Sequence, residues 1–161
     1  MSSTESQPVP ASAASAGGPS GPARVLRAEV THEPISAEEL AQRVRDAGAG
    51  AVVTFAGVVR DHDQGRGVTG IGYSAHPSAD RIVADIAQEA AGRQGVAALG
   101  LVHRVGDLVV GDTALAVAVS AAHRAEAFAT CGHLVEEVKR RLPVWKRQSF
   151  TDGSSQWSNI A

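Results

Sequence analysis

Cysteine is almost missing from this chain: Cys131 stands alone. One thiol cannot close an internal disulfide, so the chain reads as cytoplasmic. Aromatic residues make up only 4% of the sequence, so its interior has to be assembled from Ala, Val, Leu and Ile. No run of about 18 apolar residues occurs, and no membrane span is expected. The N-terminus lacks a basic stretch followed by an apolar one, which argues against a secretory signal. Neither sign of charge dominates. Fifteen Lys and Arg against 17 Asp and Glu leave a net charge of −2, which speaks against a general nucleic-acid binder but permits a local basic pocket. Metal-ligand spacing is missing too. The six histidines are scattered, and Asp61-His62-Asp63 has no second cluster, so it reads as a solvated loop and no metal is expected.

What is present suits one folded domain. The 161 residues are 43% hydrophobic, enough for a buried core. Residues 1–23 are rich in Ser, Ala, Pro and Gly, a composition that buries too little to order itself, and read as a flexible tail. The domain then occupies residues 24–161. Strands are expected at 25–30, 50–59, 68–75, 96–105, 114–121 and 144–150, with a short one at 108–110. Ser36 with Glu39 forms a capping box that opens a helix ending near Gly48. Pro77 sits near the start of a second helix carrying Ile82, Val83, Ile86 and Ala90. A third helix spans about 124–141, with Phe128, Cys131, Leu134, Val135, Val138 and Leu142 as its apolar stripe, and Pro143 ends it. Short turns near 96–121 favour antiparallel pairing, so the class is α+β, not a doubly wound parallel sheet.

Several motifs carry chemistry or only imitate it. Gly65-Arg66-Gly67-Val68-Thr69-Gly70 matches the dinucleotide pattern but leads into a strand, so no helix N-terminus is there to meet a pyrophosphate. Asp61 to Gly67 is read as a polar loop. Cys131 falls in an apolar stripe and is expected to be inert core, so any sulfur the protein handles comes from elsewhere. His123-Arg124 opens the last helix, where unpaired N–H groups attract anions; a phosphate site and a solvent-facing pair both fit. Arg60 ends an apolar strand, at a pocket rim or simply where the strand leaves the core. Lys139 and Lys146 flank the helix break at Pro143, which would fold both ammonium groups towards one pocket; a solvated basic run is the plain alternative.

Read together, these segments carry a resemblance. Residues 50–60, GAVVTFAGVVR, look like a "GA-x-x-x-F-x-G-x-V-R" strand. His103-Arg104-Val105-Gly106 with Gly111-Asp112 looks like an "HR-x-G…GD/E" hairpin. Ser120 to Arg124 with Ala127-Phe128 looks like "S-x-HR-x-x-AF", and Lys139 through Pro143 to Trp145-Lys146 looks like "K-x-x-x-P-x-WK". Gly153 and Trp157 fit the closing "G-x-x-x-W". In this order and spacing, over roughly residues 25–158, the chain resembles the large, catalytic subunits of molybdopterin synthase. It departs from them at Gln148, where the family often has Glu, and at residues 72–76, where only the first tyrosine, Tyr73, of an acidic-aromatic strand is kept.

The resemblance implies an α/β hammerhead-type fold with an additional antiparallel β-sheet subdomain. It implies a homodimer that binds a small ubiquitin-like subunit at each end, a heterotetramer in all. The small subunit's C-terminal Gly-Gly thiocarboxylate would supply sulfur to cyclic pyranopterin monophosphate, giving the dithiolene of molybdopterin, with no cofactor of the protein's own. Lys139 would do the acid–base work and polarise the thiocarboxylate, with Lys146 assisting proton transfer as the cyclic phosphate opens. Arg60, His123, Arg124 and Arg147 would hold the phosphate. Val58, Val59 and Gln148 would line the site through backbone or polar contacts. Two other classes also fit a basic pocket of this kind: a lysine-dependent acyl or phosphoryl transferase, and a non-catalytic dimer that binds an anionic metabolite.

Overall fold

A computed structural model describes residues 18, 19 and 21–160. The expected tail at 1–23 thus falls largely outside the described residues. The elements are β1 (Arg24–Thr31), α1 (Ala37–Arg43), β2 (Ala51–Val58), β3 (His62–Asp63), β4 (Arg66–Ala75), α2 (Ala79–Ala91), β5 (Val96–Arg104), β6 (Gly106–Val109), β7 (Thr113–Ala121), α3 (Arg124–Arg141), β8 (Val144–Phe150) and β9 (Ser155–Asn159). No helix among the described residues is long and apolar enough to cross a membrane.

Two sheets make the α+β architecture. The first has the order β1-β5-β7-β2, with β1 parallel to β5 and the other pairs antiparallel. Helices α2 and α3 cover one of its faces and α1 the other, so its central strands are buried on both sides. Alternation along β7 sends Val117 and Val119 into the larger core and Ala116 and Ala118 towards α1. The scarcity of aromatics is met on the α1 side by small residues. Ala98, Ala116 and Ala118 let Leu40 and Val44 settle close to the sheet, and a Cβ on Gly100 would stand 3.0 Å from Leu40 Cδ2. Ser36 caps α1 as expected, its hydroxyl accepting from the Glu39 amide at 3.2 Å.

The second sheet runs β3-β4-β8-β9, with β6 also paired to β4. Its own small core is Val59, Ile71, Leu108 and Ala114. Between the two sheets the chain passes from α3 through Leu142 and Pro143 into β8. Leu142 is already extended (φ −73°, ψ 120°), as a residue before proline prefers.

The structure corrects four expectations. Residues 61–67 are not a loop: β3 and the start of β4 form a hairpin, with Gln64 (φ 47°) and Gly65 (φ 78°) as its turn. Two central residues at positive φ match the twist of a tight hairpin, which also explains the false dinucleotide motif. Helix α1 ends at Arg43, short of Gly48. The short strand near 108–110 pairs with β4 in the other sheet, not with its neighbours in sequence. Phe128 leaves the apolar stripe of α3 and is 65% exposed.

Candidate active site

A cavity of about 260 Å³ opens where the two sheets meet the C-terminal end of α3. Each element delivers its residues for a local reason. At the end of β2, a register shift between Gly57 and Val58 marks a bulge that re-aims the strand, and Val58 is left half exposed at the rim. Val59 is buried and its backbone is fully engaged: its amide donates to the Asp112 carbonyl at 2.9 Å, and its carbonyl accepts from the Gly111 amide at 2.8 Å. It lines the cavity with both backbone groups already paired, which leaves only the carbonyl's second lone pair for a further contact. Arg60 follows at the rim, where its Nη2 donates to Asp63 Oδ1 at 2.9 Å. Asp63 belongs to β3, so the hairpin hands the rim a carboxylate.

From the other side come Lys139, in the last turn of α3, and Lys146 and Gln148 on β8. The helix break at Pro143 turns the chain so that both lysines face the same space. Strand alternation puts Lys146 and Gln148 on the cavity face and Trp145 and Arg147 on the opposite one. There Arg147 Nε donates to Ser155 Oγ at 3.2 Å. Among the described residues, three cations (Arg60, Lys139, Lys146) thus face one carboxylate (Asp63) across the rim, a balance suited to an anionic ligand. Gln148, where the resembled family often has Glu, adds no further negative charge.

Six of the nine residues proposed from sequence therefore line one cavity: Val58, Val59, Arg60, Lys139, Lys146 and Gln148. Arg147 does not. His123 and Arg124 do not either. They sit at the N-terminal end of α3, sixteen and fifteen residues from Lys139, at least about 22 Å along a helix axis.

Comparison with known proteins places the chain in a family. Residues 30–141 match the family described as MoaE protein. A molybdopterin synthase catalytic subunit of Thermoplasma volcanium is 35% identical over 130 residues, 80% of this chain and 95% of that one. Another, of Bacillus subtilis, is 34% identical over 81% of this chain and 83% of its own length. The crystal structure of molybdopterin synthase from Staphylococcus aureus superposes with a TM-score of 0.75 at 32% identity, covering 82% of this chain and 96% of that one. The chain belongs to the MoaE family.

In this MoaE chain, several cavity residues escape a reading by sequence alone. Phe55, Ile71, Leu115 and Val138 form apolar wall, and Ile160 closes part of it from beyond β9. Asp63, Tyr73 and His103 are the polar residues missed, Asp63 because its segment was read as a solvated loop. Tyr73 stands opposite Lys146 in the β4–β8 pairing, and its ring meets the His103 ring edge-on, centroids 5.1 Å apart. His103 is buried at 3% exposure, and burial pushes its imidazole down to about 4. The signal was the strand itself: a histidine at position 103 in register with Leu99 and Leu101 must enter the core face. Cys131 meets its expectation; it is buried, and burial pushes its thiol up to about 11.

Proposed function

We propose that this chain is the catalytic subunit of a molybdopterin synthase acting in the cytoplasm. It converts cyclic pyranopterin monophosphate to molybdopterin, taking sulfur from the C-terminal thiocarboxylate of a small ubiquitin-like subunit. One observation carries the reading: in a chain of the MoaE family, two lysines from either side of a helix break share one cavity with Arg60.

The chemistry asks for what that cavity offers. A thiocarboxylate sulfur bonds to a substrate carbon as that carbon's bond to oxygen breaks, the oxygen leaving with the opening cyclic phosphate at one carbon and as water at the other. Water then cleaves the acyl–sulfur bond, freeing the small subunit's carboxylate and leaving the sulfur on the pterin. Two such additions build a dithiolene. Each places an anionic tail beside an anionic substrate, and the three rim cations offset that repulsion. Lys139 moves the proton at the carbon that gains sulfur. Lys146 stabilises the charge released as the cyclic phosphate opens, and Arg60 binds the phosphate. Gln148 supplies a polar contact without competing for these cations. In this scheme His123 and Arg124 contact substrate only from a second copy of the chain, since about 22 Å of helix separates them from Lys139. A homodimer capped at each end by the small subunit satisfies that requirement.

The test is reconstitution. Purified protein, cyclic pyranopterin monophosphate and thiocarboxylated small subunit are mixed, and dithiolene product is followed by mass spectrometry. Wild type is expected to form product. Lys139→Ala is expected to lose at least about 100-fold in rate, the scale of a positioned acid–base group, with an unchanged circular dichroism spectrum. Normal turnover by that variant removes Lys139 from the mechanism.

A further inference from the structure

His103 holds a polar atom that the reaction scheme leaves unused. Its Nδ1 lies 2.8 Å from the Arg104 carbonyl oxygen. A carbonyl only accepts, so Nδ1 carries the proton and Nε2 is left with a bare lone pair. No residue among those described bonds to Nε2. Nor is Nε2 among the sealed atoms without partners, which are Arg104 Nε and Glu126 Oε2. The lone pair therefore opens on the cavity that His103 lines. The edge-on contact with Tyr73, interplanar angle 75°, fixes the ring plane, and the Arg104 carbonyl fixes the tautomer. The cavity is thus polarised along its depth. Its exposed rim is cationic, through Arg60, Lys139 and Lys146, and its buried end presents a neutral, oriented acceptor.

We infer that His103 is a specificity-determining residue, its Nε2 accepting a hydrogen bond from an N–H group of the substrate's heterocycle while the rim cations hold the phosphate. The ligand class this selects is a phosphorylated nitrogen heterocycle with a ring or exocyclic N–H at the end remote from the phosphate. The inference rests on the proposed sulfur-transfer reading for the identity of the substrate, though not for the contact itself. Acid–base catalysis by His103 is the competing role, and its basicity decides against it. An imidazole titrating at about 4 is protonated in roughly one molecule in a thousand at pH 7, too weak a base to share the work of the lysines. A buried acceptor that must be matched discriminates strongly, because a ligand lacking the N–H leaves it unpaired.

Two measurements test this. In the kinetic one, His103→Leu removes the acceptor at similar volume and His103→Gln restores one. The expected result is a KM for cyclic pyranopterin monophosphate raised about 10-fold in His103→Leu, with kcat within about twofold, and substantial recovery in His103→Gln. An unchanged KM in a folded His103→Leu protein, or a loss in kcat alone, overturns the inference. The second needs no variant. In 15N-histidine-labelled wild type, the Nε2 resonance of His103 is expected to move on titration with cyclic pyranopterin monophosphate alone. A resonance unmoved at saturation overturns the contact. If that resonance moves while reconstituted wild type makes no dithiolene, the His103 contact stands and the sulfur-transfer reading falls.

Discussion

Arg60 reaches the rim already holding a counter-ion. Asp63 takes up part of its guanidinium at 2.9 Å, so an incoming phosphate has to share that charge with a carboxylate. The Arg60 side chain is 66% exposed, and exposed pairs of this kind are worth at most about 1 kcal/mol. Asp63→Asn is accordingly expected to lower the KM for the anionic substrate by up to about fivefold with kcat little changed. Steady-state kinetics at low ionic strength checks this, and a higher KM would mean that Asp63 organises Arg60 instead of competing for it. Cys131 makes the opposite prediction. With its thiol pushed up to about 11 by burial, it is expected to resist alkylation in the native protein, and Cys131→Ala is expected to retain sulfur transfer. Rapid labelling, or loss of turnover in a folded Cys131→Ala protein, would give that sulfur a role. At this scale the lysines, Arg60 and Gln148 were legible because short motifs fix their spacing to Pro143 and to the end of β2. His103 was named in a motif yet not assigned to the site, because one sequence does not say which core position touches a void.

At the scale of elements, the second sheet depends on close approach. A Cβ on Gly70 would lie 2.7 Å from the Leu108 carbonyl oxygen, so β6 packs against β4 only because position 70 has no side chain. Gly70→Ala is expected to destabilise the protein by about 1–3 kcal/mol, the usual cost of overpacking, and to weaken turnover as Val59 loses Leu108 beside it. Thermal denaturation with parallel activity measurements tests both effects, and an unchanged melting temperature would show that β6 shifts without cost. Legibility at this scale followed punctuation. Pro143 separates α3 from β8, and both elements were expected within a residue or two of where they lie. The strand β9, Ser-Gln-Trp-Ser-Asn, is exposed throughout and offers no buried alternation to read. The β3–β4 hairpin turns on Gln64-Gly65, without the Asn-Gly or Asp-Gly that usually announces such a turn. Phe128 was assigned to the core by its helical spacing, but spacing gives only the angle around the helix, not what lies opposite.

For the whole molecule, the buried imidazole ties stability to pH. In the unfolded chain His103 binds a proton below about 6.5, whereas in the folded chain it stays neutral down to about 4. Between those values the unfolded state holds more protons, so stability falls as pH is lowered through that window, by up to about 3 kcal/mol, and this loss is complete below it. Glu137, held down to about 2 chiefly by Arg140 and then Arg141, contributes its own loss only below the ordinary glutamate range. Denaturant titrations from pH 7 to pH 4 are expected to show the slope in wild type and to lose most of it in His103→Gln. Equal slopes would place the acid sensitivity elsewhere. The α+β class followed from short turns between strands, but the pairing of β1 with β5 as parallel neighbours did not, since that contact joins residues some seventy positions apart.

The two ends of the cavity belong to parts of the fold with different lifetimes. Its inner wall rests on β5 and β7, buried on both faces, whose amides are expected to open only with the whole domain. Its rim includes Asp63, on a two-residue strand at the tip of an exposed hairpin. Admission and selection are thereby separated: hairpin changes that leave the Arg60–Asp63 pair intact are expected to alter ligand entry and exit alike, whereas changes at the inner wall are expected to alter residence time.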